Sequence, residues 1–198
     1  MKSLIYRAFG MLCVMTFLCG GIYPLAVTAI SQAAFPGEAN GSIIKIDNKA
    51  YGTKFLAQQF TGKQYMWGRI MRLDTESFID KNGNSYFYAA PDNISPASND
   101  YDSLVAQRVQ KIKESNPDAR IDSIPVDLVT NSGSGLDPHI SLAAAEDQIP
   151  RLAKERQMSE AEIQKIIDTY TTDKFLGIFG EPVVNVLQVN LALDGLLK

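Results

Sequence analysis

The polar residues best equipped for chemistry lie in one loop, Asn131-Ser132-Gly133-Ser134-Gly135-Leu136-Asp137-Pro138-His139. It holds two hydroxyls, a carboxylate and the only histidine of the chain, the residue types of a nucleophilic hydrolase. Such an enzyme needs its serine on a sharp turn, with the imidazole within about 3 Å to take the proton. The spacing fits poorly: Gly133-Ser134-Gly135 is one residue short on either side of a Gly-x-Ser-x-Gly elbow, and residues this close in sequence rarely converge as a triad. A hydrolase using Ser132 or Ser134 with His139 is the alternative function class. The glycines also fit an anion nest, but the Walker lysine pattern and Gly-x-Gly-x-x-Gly are both missing. A tight turn with positive φ at Gly133 or Gly135 explains them more simply. For metal chemistry the chain offers this one histidine, read as a helix-start residue, and no cysteine beyond Cys13 and Cys19, so ligands would be mostly carboxylates.

The elements around the loop follow from periodicity. Pro125 to Thr130 reads as a strand leading into it, and Ser141 to about Gln157 as a helical region presenting Leu142, Ala145, Ile149 and Leu152. Pro150 must kink or split that region, because proline lacks the amide proton and clashes one turn back. Ser159 and Glu162 form a capping box, Met158 staples onto Ile163, and Ile163, Ile166, Ile167 and Tyr170 give a buried stripe. Upstream, Asn99 or Asp100 caps a helix with Tyr101, Leu104, Val105, Val109 and Ile112 on one face, ending before Asn116-Pro117. Gly41 to Ile46 reads as a strand, followed by an Asp47-Asn48 turn and a second run through Phe60, and Val183 to Val189 reads as a last strand before a short apolar helix or tail. In residues 61–98 Trp67, Phe78, Tyr86, Phe87 and Tyr88 pin a long loop to the core. Interleaved strands and helices make the fold class mixed α/β (α+β).

Ahead of this domain, Ala8 to Ile30 is almost wholly apolar, 23 residues where about 20 suffice for a helix to cross a bilayer. A cleaved signal peptide would use Lys2 and Arg7 as its basic region and Ser31-Gln32-Ala33 as its cleavage site, but the run exceeds the usual apolar length of about 7–15 residues. Lys2 and Arg7 precede the span, and no Lys or Arg follows until Lys45, so the positive-inside rule keeps residues 1–7 cytoplasmic. The reading is a transmembrane helix at 8–30 and one extracytoplasmic domain at 36–198. Setting aside Lys2 and Arg7, 17 basic residues face all 22 acids, a net of −5, which argues against nucleic acid as a partner.

Motifs along the chain carry a resemblance. They run from Gly20-Gly21-Ile22-Tyr23-Pro24 and Ala39-Asn40-Gly41-Ser42 to Gln59-Phe60-Thr61-Gly62, Gly68-Arg69 and Asn116-Pro117-Asp118-Ala119. Pro125-Val126-Asp127-Leu128-Val129-Thr130, Ser134-Gly135-Leu136-Asp137 and Ile140-Ser141 follow, then Gln148-Ile149-Pro150-Arg151, Pro182-Val183-Val184-Asn185 and Asn190-Leu191-Ala192-Leu193-Asp194. In order and spacing the chain resembles the C-subunit family of the Kdp potassium-transporting P-type ATPases. It departs at 70–98, where Ile70-Met71 and Pro96-Ala97-Ser98-Asn99 replace the family's usual residues.

The resemblance implies the bacterial inner membrane and lipid, and a complex with a channel-like potassium-binding subunit, a P-type ATPase subunit and a small helical subunit. It implies no catalysis by this chain alone. It also implies a catalytic chaperone that raises ATP affinity, with Gln148 as the nucleotide contact. The orientation argument opposes that role, since P-type pumps hydrolyse ATP in the cytoplasm. A bracing role follows instead, with Gly20, Gly21, Tyr23 and Pro24 packing the span against neighbouring helices.

Overall fold

The computed structural model describes residues 2–71, 73–74, 79–84, 88–89, 93–115 and 124–197. Phe78, Tyr86, Phe87 and the Asn116-Pro117-Asp118-Ala119 motif lie outside the described residues, as does the side chain of Tyr88. The chain divides into two compact units, Met1–Ile44 and Lys45–Lys198.

The first unit is a helical rod, Lys2–Ala34, whose 33 residues span about 50 Å at 1.5 Å per residue. Helix α1 (Lys2–Phe17) passes through one π-helical turn, Leu18–Ile22, into α2 (Tyr23–Ala34). The wide turn has a cause in the sequence. Pro24 has no amide proton, and its ring would crowd the carbonyl one turn back, at Gly20. In the π turn Tyr23 N–H reaches instead to the carbonyl of Leu18. No residue of the rod is buried within the chain, so its Leu, Ile, Val and Phe side chains have no apolar cover of their own. A short turn, α3 (Pro36–Ala39), follows and is tied back by Asn40, whose amide donates to Gln32 at 3.0 Å and to the Pro36 carbonyl at 2.7 Å.

The second unit is mixed α/β. The hairpin of β1 (Ile43–Ile46) and β2 (Lys49–Thr53) turns at Asp47 and Asn48, whose positive φ values of 49° and 64° are those of a tight primed turn. A minimal antiparallel pair, β3 (Leu73–Asp74) with β4 (Tyr88–Ala89), precedes helix α4 (Asn99–Ser115). Ser98, one residue ahead of the expected caps, accepts the Tyr101 amide at α4's start. On the expected stripe of α4, Ile112 is buried, and Tyr101, Leu104, Val105 and Val109 are half-buried.

The expected strand at Pro125–Thr130 is instead a 3-10 turn, Val126–Leu128. Consecutive Leu128 and Val129 are both buried, which an alternating strand does not allow, and Asp127 turns to accept the Ser141 amide at 2.8 Å. His139 does not start a helix: it opens β5 (His139–Ser141). Pro150 does split the next region, into α5 (Leu142–Glu146) and α6 (Ile149–Arg156), with proline in α6's first turn where its missing proton is harmless. Helix α7 (Glu160–Thr169) carries the expected capping box, and Ile163 and Ile167 are fully buried.

Strand β6 (Thr171–Thr172) and strand β7 (Val183–Asn185) complete a three-stranded antiparallel sheet in the order β5-β7-β6. The expected strand to Val189 stops at Asn185, because its side chain accepts the Gln188 amide and caps α8 (Val186–Leu193). Helix α8 buries Val186, Leu187, Val189, Asn190, Leu191 and Leu193, so periodicity alone did not distinguish it from a strand. The core gathers Met66, Ile140, Leu152, Ile163, Ile167, Val184 and Val189 between the sheet and α5 to α8.

Candidate functional site

The loop that invited a hydrolase reading does not assemble one. Ser132 Oγ lies 3.3 Å from Ser134 Oγ, and these hydroxyls accept the amides of Asp137 and Leu136 within their own loop. Gly135 takes the positive φ, 72°, while Gly133 does not. The His139 ring is engaged elsewhere. Asn185 Nδ2 stands 3.3 Å from His139 Nε2 and also donates to the Lys54 carbonyl at 2.9 Å. Because Asn185 Oδ1 already accepts the Gln188 amide, Nδ2 must be the donor to the ring, which places the imidazole proton on Nδ1, 3.7 Å from Asp137 Oδ1. Burial lowers the His139 pKa, partly opposed by the nearby Asp137 carboxylate, and Lys54 adds to the lowering. Among the described residues no serine hydroxyl meets the imidazole, and no three His, Cys, Asp or Glu side chains come together as a metal site.

The polar chemistry of the domain is concentrated elsewhere, around the segment Lys63–Arg69. This segment enters the core at Met66 without belonging to a strand, so its buried main-chain groups need partners from side chains. Asn190, 1% exposed on α8, accepts the Met66 amide at 2.7 Å and donates to the Met66 carbonyl at 2.9 Å. Gln148, 3% exposed just before α6, does the same for the next residue, accepting the Trp67 amide at 2.8 Å and donating to its carbonyl at 3.0 Å. Two side-chain amides thus replace the neighbouring strand that a sheet would supply.

Two arginines from α6 complete the grip. Arg151 donates to the carbonyls of Lys63 and Tyr65, the latter at 2.9 Å, and to Gln148 Oε1 at 2.6 Å. Its guanidinium stacks on the Trp67 ring, 4.4 Å from the centroid. Burial lowers its pKa to about 10, partly opposed by Glu155 and Asp147, so it remains charged at neutral pH. Arg156 donates to the Gln64 carbonyl at 2.7 Å, to the last carbonyl of α8, Leu193, at 2.9 Å, and pairs with Asp194 at 2.8 Å. At the far end Arg69 lies 3.8 Å from Asp127 and 3.7 Å from Asp137, and donates to the Asn131 carbonyl at 2.8 Å.

The residue singled out as a nucleotide contact is therefore saturated. Gln148 Oε1 accepts from Trp67 and Arg151, and Nε2 donates to Trp67 and to the Ala144 carbonyl at 2.9 Å. A ligand would have to displace one of these bonds. Trp67 packs against the core, as expected of it, and its indole donates to the Gly62 carbonyl at 2.9 Å. Sequence reasoning missed Asn190, Arg151 and Arg156 as the side chains that hold the Lys63–Arg69 main chain. The available signal was an asparagine at a core position of an apolar helical run and two arginines beside Gln148.

In the first unit, Gly20 and Gly21 form the centre of the π turn, with Tyr23 and Pro24 opening α2. A Cβ added at Gly20 would meet nothing within 4 Å, and at Gly21 only the Phe17 ring at 3.8 Å. The chain's own packing does not require glycine at either position.

Comparison with known proteins gives one answer over nearly the whole length. A family model described as KdpC, the c chain of the K+-transporting ATPase, matches residues 5–195. A protein of Clostridium botulinum (strain Alaska E43) named potassium-transporting ATPase KdpC subunit is 53% identical over 197 residues, covering 100% of this chain and 98% of its own. A Clostridium perfringens protein of the same name is 56% identical over 185 residues, 93% of each chain. One from Sorangium cellulosum is 43% identical over 188 residues, 95% of each. With its apolar N-terminal helix and mixed α/β unit, this chain belongs to the KdpC family of K+-transporting ATPase subunits.

Proposed function

We propose that the chain is a single-span, non-catalytic subunit of an ATP-driven potassium-uptake complex, and that its folded unit braces the transport subunits from the extracytoplasmic side. The carrying observation is the saturation of Gln148. The side chain that the resemblance ties to ATP is spent on the main chain of Trp67, Arg151 and the end of α5. This supports a role in holding the domain's shape rather than in touching nucleotide.

The partners implied by family are the channel-like potassium-binding subunit, the P-type ATPase subunit and the small helical subunit. The span packs beside their helices through Gly20 and Gly21, where the chain itself leaves an open face. The orientation rests on Lys2 and Arg7 before the span and on the absence of Lys or Arg from Ala8 to Ile44. A domain with a net charge of −5 does not cross the bilayer in each pump cycle, since one charged side chain at mid-bilayer already costs about 3 kcal/mol.

The test is a labelling experiment on intact cells. With Cys13→Ala and Cys19→Ala, a reporter introduced by Ser98→Cys is treated with a membrane-impermeant maleimide. Labelling without lysis is the expected result. Labelling only after lysis reverses the orientation and makes the nucleotide-chaperone role, centred on Gln148, the reading to follow.

A further inference from the structure

The connection between β6 and β7 carries side chains that the core does not use. Phe175, Leu176, Ile178 and Phe179 are 70, 73, 75 and 62% exposed, on a tip with no charge from Phe175 to Gly180. The tip is ordered by its own main chain. Phe175 and Phe179 exchange amide-to-carbonyl bonds of 2.8 and 3.0 Å, Gly177 N–H donates to the Lys174 carbonyl at 3.0 Å, and Ile178 N–H to the Phe175 carbonyl at 3.2 Å. Lys174 and Glu181 pair at 3.1 Å across its base, and Asp173 beside them leaves a net charge of −1 there.

Leu176 sits at φ 54°, between Phe175 and Gly177, itself at φ 73°. Left-handed backbone favours glycine, asparagine or aspartate over leucine. The turn therefore gains nothing from this apolar side chain, and its presence points to a use outside the fold.

We propose that this tip inserts into the surface of the lipid bilayer that holds the chain's own N-terminal helix, so that the folded unit touches the membrane at a second point. The inference rests on the single-span reading above. Three observations favour lipid as the occupant. Four of the tip's six amides, those of Phe175, Gly177, Ile178 and Phe179, are bonded within it and its base, which lowers the cost of moving it from water into the bilayer's interfacial layer. Its four side chains amount to a patch of a few hundred Å², below the roughly 600–1,000 Å² that each partner buries in a stable protein–protein interface, so the tip alone is too small to hold a second copy. Finally, only eight residues, 35–42, separate the apolar helix from β1, a reach of at most about 28 Å. Tethering at that length keeps the membrane surface at high effective concentration, and a small apolar contact then suffices. The net negative base suits zwitterionic rather than anionic lipid.

The test uses the full-length chain with Cys13→Ala, Cys19→Ala and Ile178→Cys, labelled at position 178 with an environment-sensitive fluorophore and reconstituted in phosphatidylcholine vesicles. The expected result is blue-shifted emission, quenched by brominated acyl chains at a depth of about 5–10 Å. A label introduced by Lys165→Cys on α7 should show neither effect. Adding Leu176→Asp, which the left-handed backbone accepts, should return position 178 to the behaviour of position 165. Water-like emission at position 178 overturns the proposal. So does a blue shift without lipid quenching that appears only when the other subunits are present, which assigns the tip to a protein socket. Co-purification of the same labelled chain with those subunits reports on the subunit reading separately, since assembly without quenching defeats only the membrane contact.

Discussion

Asn190 on α8 holds both main-chain groups of Met66, 124 residues earlier in the chain, with bonds of 2.7 and 2.9 Å at a site that water does not reach. An extended segment normally satisfies these groups with a neighbouring strand. Here a single amide does so, with its oxygen on the N–H and its nitrogen on the C=O. Gln148 repeats the arrangement on Trp67, so the segment's path through the core depends on two amide side chains from different helical regions.

Asn190→Ala should therefore be strongly destabilising, by about 1–3 kcal/mol for each Met66 group left without a partner. Asn190→Asp should fare no better, because a carboxylate accepts the Met66 amide but opposes its carbonyl. Denaturant unfolding of the full chain in detergent measures both, and an Asn190→Asp midpoint equal to that of the native chain would contradict the two-bond account.

Gln148→Ala removes partners from Trp67, Arg151 and Ala144 together. A loss of at least about 2 kcal/mol is expected from the buried groups left unsatisfied. In complexes that still assemble, ATP affinity should be unchanged. Isothermal titration or ATPase kinetics on the purified complex decides this: weakened ATP binding in a Gln148→Ala complex of normal thermal stability would favour a nucleotide contact.

His139 gives the domain a pH dependence in mild acid. Its folded-state pKa lies below the ordinary 6.5, chiefly because the ring is partly buried. Between that lowered value and 6.5 the unfolded chain binds more protons than the folded one, so stability rises with pH across the window and is lost as pH falls through it. Protonation also sets an N–H on Nε2 against the Asn185 donor. Melting temperature should thus fall between pH 7.5 and 5, and His139→Gln should flatten that slope. An unchanged slope in the variant would assign the effect to another group.

Ser159→Ala tests the capping box of α7. The hydroxyl accepts the Glu162 amide at 3.3 Å and donates to its carboxylate at 2.7 Å, while the Ser159 amide donates to the same carboxylate at 2.8 Å. These bonds hold the Glu162 pKa below its ordinary value. The variant should lose about 1 kcal/mol of stability. By NMR titration, its Glu162 pKa should move up toward the usual carboxylate range.

Local rules accounted for much of this protein. The long apolar helix, the Asp47-Asn48 hairpin, the proline split before α6 and the Ser159 capping box all depend on residues within a few positions of one another, and a linear reading reaches such interactions. The family, too, was legible, because ordered short motifs survive in the text whatever their contacts. Tertiary structure decided the rest. Val126–Leu128 turned rather than extending because both Leu128 and Val129 had core to enter, and β7 gave way to α8 because Asn185 was placed to cap it. The grip on Met66 and Trp67 joins residues more than eighty positions apart, and no local pattern marks which amide will meet which carbonyl. His139 and the serines show the converse: close neighbours in sequence, they were sent to different partners by the pairing of β5 with β7, which aims the imidazole at Asn185.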